Sequence, residues 1–316
     1  MVARRTTNDE IVAAISSQPS IKDAARQLGM TERNLYYRLS EIENKLGHRL
    51  GRQDGRRRIH ALAASDARLD IEIQDGVILV GSDAHYRPGV ISTAHRAFVR
   101  FCKELKPAAV IKNGDALDFP SISRHAPIGW ETRPTVIQEI ECAQERLGEI
   151  EQAAGQARRI WPLGNHDMRF EARIASLAPE YAKVHGMHLK DHFVLWEPCW
   201  GVWVNEDVVI KHRYKGGIHA TRNNTLNAGV TMVTGHLHSL KVTPFSDYNG
   251  VRYGVDCGTM ADPYSDAFKD YTEVSPVDWR SGFVVLTFHR GRLLWPEVCH
   301  VIEEGIVEFR GVLYNV

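Results

Sequence analysis

Residues 160 to 167 read Ile160-Trp161-Pro162-Leu163-Gly164-Asn165-His166-Asp167, an apolar run that breaks at a glycine into an amide, an imidazole and a carboxylate. The run has the length and composition of the end of a buried strand, and Gly164 is expected to permit a tight turn off it. Taken alone, Asn-His is usually just a turn. It gains meaning from its place in an ordered series: Asp83-Ala84-His85, Gly114-Asp115-Ala116-Leu117-Asp118, this stretch, His212, and Gly235-His236-Leu237-His238. Most members follow a short β-like run, and each carries oxygen or imidazole donors suited to hard or borderline divalent cations. In Asp83-Ala84-His85 and in His236-Leu237-His238 the i, i+2 spacing predicts two side chains on one side of an extended segment.

Working outward, the texture from about residue 68 is strand alternating with helix. Residues 69–73 and 77–80 read as a strand pair around the turn signal Gln74-Asp75-Gly76. Helices are predicted over 92–105, 134–157 and 168–177, with strands at 108–111 and 159–163 between them, a βαβαβα order that argues α/β layering. The second half is richer in strand candidates: 193–196, 201–205, 208–212, 231–234, 241–245, 253–257, 282–288 and 305–309, with one helix over 219–228. The cluster His185, His188 and His192 has helical spacing and reads as packing or rim.

The first sixty residues differ in kind. They carry 12 Lys/Arg against 7 Asp/Glu, out of totals of 39 and 39, which leaves 27 against 32 for the remainder. A basic head on an acidic body points toward a nucleic-acid-facing module. Asn8 is a candidate N-cap for a first helix over 8–17, Ser20-Ile21-Lys22-Asp23 resembles a capping box opening a second, and Gly29 can close it. Thr31 then caps a third helix whose Leu35, Leu39, Ile42 and Leu46 form one apolar face, with Arg33, Asn34, Tyr37 and Arg38 on the other. This resembles a helix-turn-helix whose third helix reads DNA. Residues 47–60 follow as a linker with five arginines, in which Arg56, Arg57 and Arg58 are placed to lie along a phosphate backbone.

The ordered ligand series is similar to that of the calcineurin-like metallophosphoesterases over roughly residues 76 to 260. The resemblance implies an α/β fold, a four-layer αββα sandwich over 68–316; it says nothing of the first sixty residues, where the three-helix pattern gives a small all-α helix-turn-helix domain (1–48) and a basic linker (49–67). It implies two divalent metal ions. One would be held by Asp83, His85, Asp115 and His238, and the other by Asp115, Asn165, His212 and His236, with Asp115 bridging. His166 would protonate the leaving oxygen, because its side chain diverges from that of the ligand Asn165, and Asp118 would orient that imidazole. Two such ions can share a hydroxide and hold it in line with a phosphorus atom.

The mixed nitrogen and oxygen donors suit manganese first, then iron, zinc or nickel, better than magnesium. The expected reaction is hydrolysis of phosphodiester bonds, with DNA the favoured partner. A phosphatase of small monoesters and a DNA-binding regulator on an inactive scaffold are the alternatives. Asp118-Phe119 stands where phosphoprotein phosphatases of this superfamily carry Arg-Gly, and Asp167 where they carry Glu, so a protein phosphatase is disfavoured. His212 is followed by Arg213 instead of the usual glycine, which leaves His219, behind Gly216-Gly217, as its substitute. Arg124, Arg169 and Arg213 lie near the motifs and are candidates to grip phosphate, although each alone reads as a surface residue.

The five cysteines are scattered, odd in number and without a C-x-x-C pair, so they read as reduced packing residues. The start lacks an apolar signal region and no apolar run is long enough to span a bilayer, so a reducing cytoplasm without membrane contact is the expected setting. No dimer element is legible.

Overall fold

The structure is a computed structural model that describes residues 6–18, 21–46, 67–126, 132–265, 268, 272 and 275–316, with the side chains of Asn44 and Leu46 excepted. The proposed backbone contacts Arg56, Arg57 and Arg58 lie outside the described residues, as does Ser20. The chain separates into two compact units, one of residues 1–65 with 289–292, the other of 66–288 with 293–316. No helix among the described residues is long and apolar enough to cross a membrane.

The N-terminal unit holds three helices, α1 (Asn8–Ser17), α2 (Ile21–Gln27) and α3 (Glu32–Leu46). Thr7, not Asn8, is the N-cap of α1: its hydroxyl accepts from the Glu10 amide at 3.3 Å while the Glu10 carboxylate accepts from the Thr7 amide at 2.8 Å. Only Thr7 has an acid three residues on, whereas Asn8 has Ile11 there, so the reciprocal box selects it. Ile11, Ala14, Ile15, Ala24, Ala25, Leu35, Leu39 and Ile42 form the unit's own core. Gly29, at φ +64°, turns the chain from α2 toward α3.

The larger unit is mixed α/β with two sheets. Its central strand β2 (Gly76–Gly81) reads GVILVG and is apolar on both faces because both are covered. Ile78 and Val80 enter a core shared with the second sheet, while Leu79 points into a core beneath helices. In the first sheet β2 runs parallel to β3 (Ala109–Lys112), which is parallel to β4 (Arg158–Pro162) and then β5 (Glu197–Cys199). On its other side β2 is antiparallel to β11 (Gly282–His289), and β13 (Glu297–Glu303), β14 (Ile306–Phe309) and β15 (Val312–Asn315) extend the sheet, with the short β12 (Arg292–Leu293) paired to β11. The second sheet orders β1 (Arg68–Ile71), β6 (Gly201–Val204), β7 (Val208–Ile210), β8 (Thr231–Thr234), β10 (Gly250–Asp256) and β9 (Lys241–Asp247).

Helices α4 (Thr93–Leu105) and α5 (Val136–Ala154) pack on the first sheet through Phe98, Phe101, Ile140, Leu147 and Ile150. Helix α8 (Ala220–Ala228) packs on β8, β9 and β10 of the second. Between α5 and α8 lie the shorter α6 (Arg169–Leu177) and α7 (Leu189–His192).

Two expectations need correction, and some strands were missed. Residues 69–73 and 77–80 do not pair: β1 joins β6 in the second sheet and β2 joins β3 and β11 in the first. The Gln74-Asp75-Gly76 turn therefore carries the chain between sheets, which strand patterning alone cannot distinguish from a hairpin. The strand expected over 193–196 falls at 197–199, because α7 and the turn after it take up the preceding apolar residues. Strands β13 and β15 were not anticipated, since their alternation is broken by polar edge positions.

Candidate metal centre

The predicted ligands all leave the C-terminal ends of strands. β2 delivers Asp83 and His85, β3 delivers Asp115, β4 delivers Asn165, and the parallel pair β7 and β8 of the other sheet deliver His212, His236 and His238. Loops at the carboxyl ends of parallel strands are where α/β sheets build sites, because the rigid strands aim the first loop residues. Loop-to-loop bonds then fix the segments: the Asp83, His85 and Tyr86 amides donate to the carbonyls of Gly114, Asp115 and Ala116 at 3.0, 3.1 and 2.8 Å.

Asp83, His85, Asp115, His236 and His238 all sit at positive φ, at 53°, 42°, 49°, 72° and 58°. The i, i+2 pairs are thus not extended, as the spacing suggested. Their side chains converge because each backbone is held in the left-handed region, a conformation that costs non-glycine residues on the order of 1–3 kcal/mol and gathers at functional sites. The motif glycines supply clearance. A Cβ on Gly164 would lie 2.0 Å from the Asp115 carboxylate, and one on Gly235 would lie 1.9 Å from the Ser82 hydroxyl. Gly164 has no positive φ, so its requirement is room for Asp115, not the tight turn that the sequence suggested.

Two groups of side chains converge. Ligand atoms of Asp83, His85 and His238 lie within 4.8 Å of one another, as do those of Asp115, His212 and His236. His212 Nε2 links them, at 3.0 Å from Asp115 and 4.0 Å from Asp83. His219 is exposed at the start of α8 and joins neither group. Several donor atoms are buried without a hydrogen-bond partner: both ring nitrogens of His85, Asn165 Oδ1, His212 Nε2 and His238 Nδ1. The Asn113 carbonyl, 2.8 Å away, can only accept, so His212 carries a proton on Nδ1 and leaves Nε2 as the nitrogen that faces Asp115.

The carboxylates are strongly polarised. Burial pushes the Asp83 carboxyl upward, but His238, His212 and His85 outweigh it and hold it well below the usual range. Burial likewise opposes, and His212 and His166 overcome it, in bringing Asp115 to about 2. His212 resists burial through Asp83, Asp115 and the Asn113 carbonyl and rises to about 9. The site thus demands positive charge among buried carboxylates. Orphaned imidazole and amide donors facing that charge fit one or more divalent cations.

A third group, His85, Asp118 and His166, stands beside the first. Asp118 accepts from His166 Nδ1, and Arg169 donates to the Asp118 carbonyl at 2.7 Å while its other nitrogen lies 3.5 Å from His166 Nε2. Asp118 and Asp115 hold the His166 pKa up against burial. Arg169, expected as a surface residue, is part of this arrangement. Its signal was the i, i+3 spacing from His166 at the start of a helix. Arg124 is exposed and Arg213 is exposed one residue beyond His212. Phe268 and Trp279 cover the first group edge-on, with ring centroids 5.5 Å from His85 and 4.6 Å from His238 respectively.

Three supporting residues escaped sequence reading. The Ser82 hydroxyl lies against both the Asn113 carbonyl, at 2.6 Å, and the Asp83 carboxylate, and donates its single proton to one of them. Lys112 is buried and donates to the Gly114 carbonyl at 2.9 Å. Glu139, on α5, accepts from the Phe119 amide at 2.8 Å. The histidines of 185–192 serve locally, His188 and His192 donating to the Ala182 and Gly186 carbonyls.

In the N-terminal unit, Arg33, Asn34 and Tyr37 are exposed on α3, Tyr37 at 66%. Arg38 is otherwise engaged: its guanidinium donates to the Thr6 carbonyl at 2.7 Å and to Asn8 Oδ1 at 3.0 Å.

No family model matches the chain. The Gene 54 protein of Mycobacterium phage D29 is 24% identical over 244 residues, spanning 66% of this chain and 87% of the phage protein. The Gene 54 protein of Mycobacterium phage L5 is 23% identical over 239 residues, spanning 66% and 87%. Among solved structures, vacuolar protein sorting 29 from Cryptosporidium parvum superposes with a TM-score of 0.42 at 13% identity, covering 77% of this chain and 100% of that one.

Proposed function

We propose that the chain is a metal-dependent phosphoesterase that hydrolyses phosphodiester bonds, with nucleic acid as its substrate. The observation that carries this reading is the pair of converging donor groups, Asp83/His85/His238 and Asp115/His212/His236, with their orphaned, buried nitrogens. Asp83, His85, Asp115 and His238 would hold one divalent ion, and Asp115, Asn165, His212 and His236 a second. When bound, such ions lower the pKa of water and neutralise charge on phosphoryl oxygens.

The chain's own residues do the rest. The Asp115 carboxylate is held by the His166 amide at 2.8 Å, so the ligand and the proton donor are placed together. His166, whose pKa Asp118 holds up, can deliver an Nε2 proton to the leaving oxygen, and Asp118, itself held by Arg169, fixes the ring through Nδ1. Phe268 and Trp279 pack edge-on against His85 and His238 of the first donor group and lay apolar rings beside it. The exposed Arg33, Asn34 and Tyr37 of α3, with residues outside the described part of the linker, would bind DNA and tether the site to its substrate.

Manganese-loaded protein is expected to turn over bis-p-nitrophenyl phosphate faster than the p-nitrophenyl monoester, with His166→Asn lowering turnover by about a hundredfold or more. Faster turnover of the monoester would replace the diesterase reading. No turnover of either ester, with no metal retained on dialysis, would overturn it.

A further inference from the structure

Between Asp207 and Asp247 the sequence holds no Asp or Glu, yet it carries Lys211, Arg213, Lys215, Arg222 and Lys241. This acid-free run lies in a body where acids outnumber cations 32 to 27. It contains His212, His236 and His238, so the charge segregation falls at the candidate site. Lys241 pairs with Asp278 at 3.3 Å, but among the described residues Lys211, Arg213, Lys215 and Arg222 enter no ion pair.

These cations sit on an ordered ledge. The buried Asn224 of α8 accepts from the Lys215 amide at 3.2 Å and donates to the Lys215 carbonyl at 3.0 Å, which pins the loop between β7 and α8. The ledge runs beside the centre: a methyl on Gly216 would lie 3.9 Å from the side chain of Leu237, which stands between His236 and His238 in sequence. Tyr214 is 47% exposed, with the Lys211 and Lys215 ammonium groups 5.6 and 5.7 Å from its ring centre. Arg222 lies over the Phe245 ring at 5.8 Å.

We infer that residues 211–222 form a rim that binds single-stranded nucleic acid, its cations tracking the backbone phosphates and Tyr214 stacking on a base as the strand passes the His212 and His236 side of the centre. Unpaired cations interleaved with an exposed aromatic ring are what sequence-tolerant strand binding uses, and unstacked bases are offered by single strands. The inference deepens the phosphodiesterase reading and rests on it.

The test measures binding without turnover. The full chain is held in chelator with a fluorescein-labelled oligothymidylate, and anisotropy is followed over a salt series. Lys215→Ala/Arg222→Ala is expected to bind about tenfold more weakly and to reduce the slope of log affinity against log salt by about 1.4, at roughly 0.7 per phosphate contact. Tyr214→Ala is expected to lose on the order of tenfold in affinity with the slope kept, since stacking carries no counterion release. Lys215→Arg/Arg222→Lys should retain the slope, which separates charge from local packing. An unchanged slope and affinity in the double alanine variant would overturn the rim. Turnover of bis-p-nitrophenyl phosphate by the unmodified chain reports separately on the metal centre, so failure of the rim and failure of the phosphodiesterase reading are distinguishable.

Discussion

The backbone N–H of Asp115 donates to the carboxylate of Asp167 at 2.8 Å. The same carboxylate accepts from the amides of Ala116, Leu117 and Gly164 at 2.9, 3.3 and 2.9 Å and from the Trp161 indole at 3.0 Å. One buried side chain therefore ties the loop that carries a candidate ligand after β3 to the loop that carries Asn165 and His166 after β4. Hydrogen bonds to an ionised acceptor are about twice as strong as neutral ones, so this tie outweighs any single backbone pair nearby.

Asp167→Asn tests the tie. The carboxamide has one acceptor oxygen and turns two N–H groups toward donors that cannot accept them, so at least one buried amide is left without a partner. A loss of about 2–4 kcal/mol in unfolding free energy is expected, read from urea titration in chelator. Metal affinity should fall as well, because Asp115 loses its anchor. Stability within about 0.5 kcal/mol of the parent would show that the two loops are held by other means.

Gly164 and Gly148 should respond to alanine with opposite signs. At Gly164 the new methyl would meet the Asp115 amide nitrogen at 2.4 Å and its carboxylate at 2.0 Å, and a backbone atom cannot swing aside. Gly148 lies in the middle of α5 with nothing within 4 Å of an added Cβ. Gly148→Ala is expected to stabilise by about 1 kcal/mol through helix propensity. Gly164→Ala is expected to destabilise and to lower the metal content found by elemental analysis after dialysis. A Gly164→Ala protein with full metal content would remove the clearance explanation.

How much of this was legible in the sequence depended on what each residue needed from its surroundings. The ligand series was readable because strand ends place loop residues locally, and the structure groups Asp83 with His85 and His238, and Asp115 with His212 and His236. The reasons for convergence were not readable. Left-handed backbone at Asp83 and His85 arises from the bonds to Gly114 and Asp115, which join segments some thirty residues apart. Glu139 and Asp167 act across twenty and fifty residues, a separation at which neither periodicity nor spacing carries information. Residues 69–73 failed for a related reason: a strand's pattern tells which face is buried, not which sheet it enters.

Stability should carry a pH signature from Glu139. Its Oε1 accepts from the Phe119 and Asp118 amides at 2.8 and 3.3 Å, while Oε2 is buried without a partner. Burial raises its pKa from 4.5 to about 7, more than the Phe119 amide lowers it. Below about pH 4.5 folded and unfolded chains are both protonated and the full contribution is present. As pH rises to about 7 the unfolded chain releases the proton that the folded chain keeps, so stability falls, and above 7 the loss is complete. Glu139→Gln keeps the acceptor and removes the titration. Relative to this variant, the parent is expected to weaken between about pH 4.5 and 7 by a ceiling of about 3.5 kcal/mol, at about 1.4 kcal/mol per pKa unit. Parallel pH curves for the two proteins would refute the assignment.

The N-terminal unit offers a separation of roles between two arginines on one helix. Arg38 spends its guanidinium on the Thr6 carbonyl and Asn8 Oδ1, which joins α3 to the start of α1 beside the Thr7 capping box. Arg33 is exposed one turn earlier. Arg38→Ala should therefore act on folding, with about 1–2 kcal/mol lost from the unit because two hydrogen bonds from a charged donor disappear, and any fall in DNA affinity should follow that loss. Arg33→Ala should leave stability within about 0.5 kcal/mol and act on DNA, lowering affinity and reducing the salt slope by about 0.9 if it meets one phosphate of a duplex. Hydrogen exchange of residues 8–46 together with salt-dependent duplex binding reads both effects. If Arg33→Ala changed neither affinity nor slope, the exposed face of α3 would lose its claim to DNA, while the stitch made by Arg38 would stand on the exchange data alone.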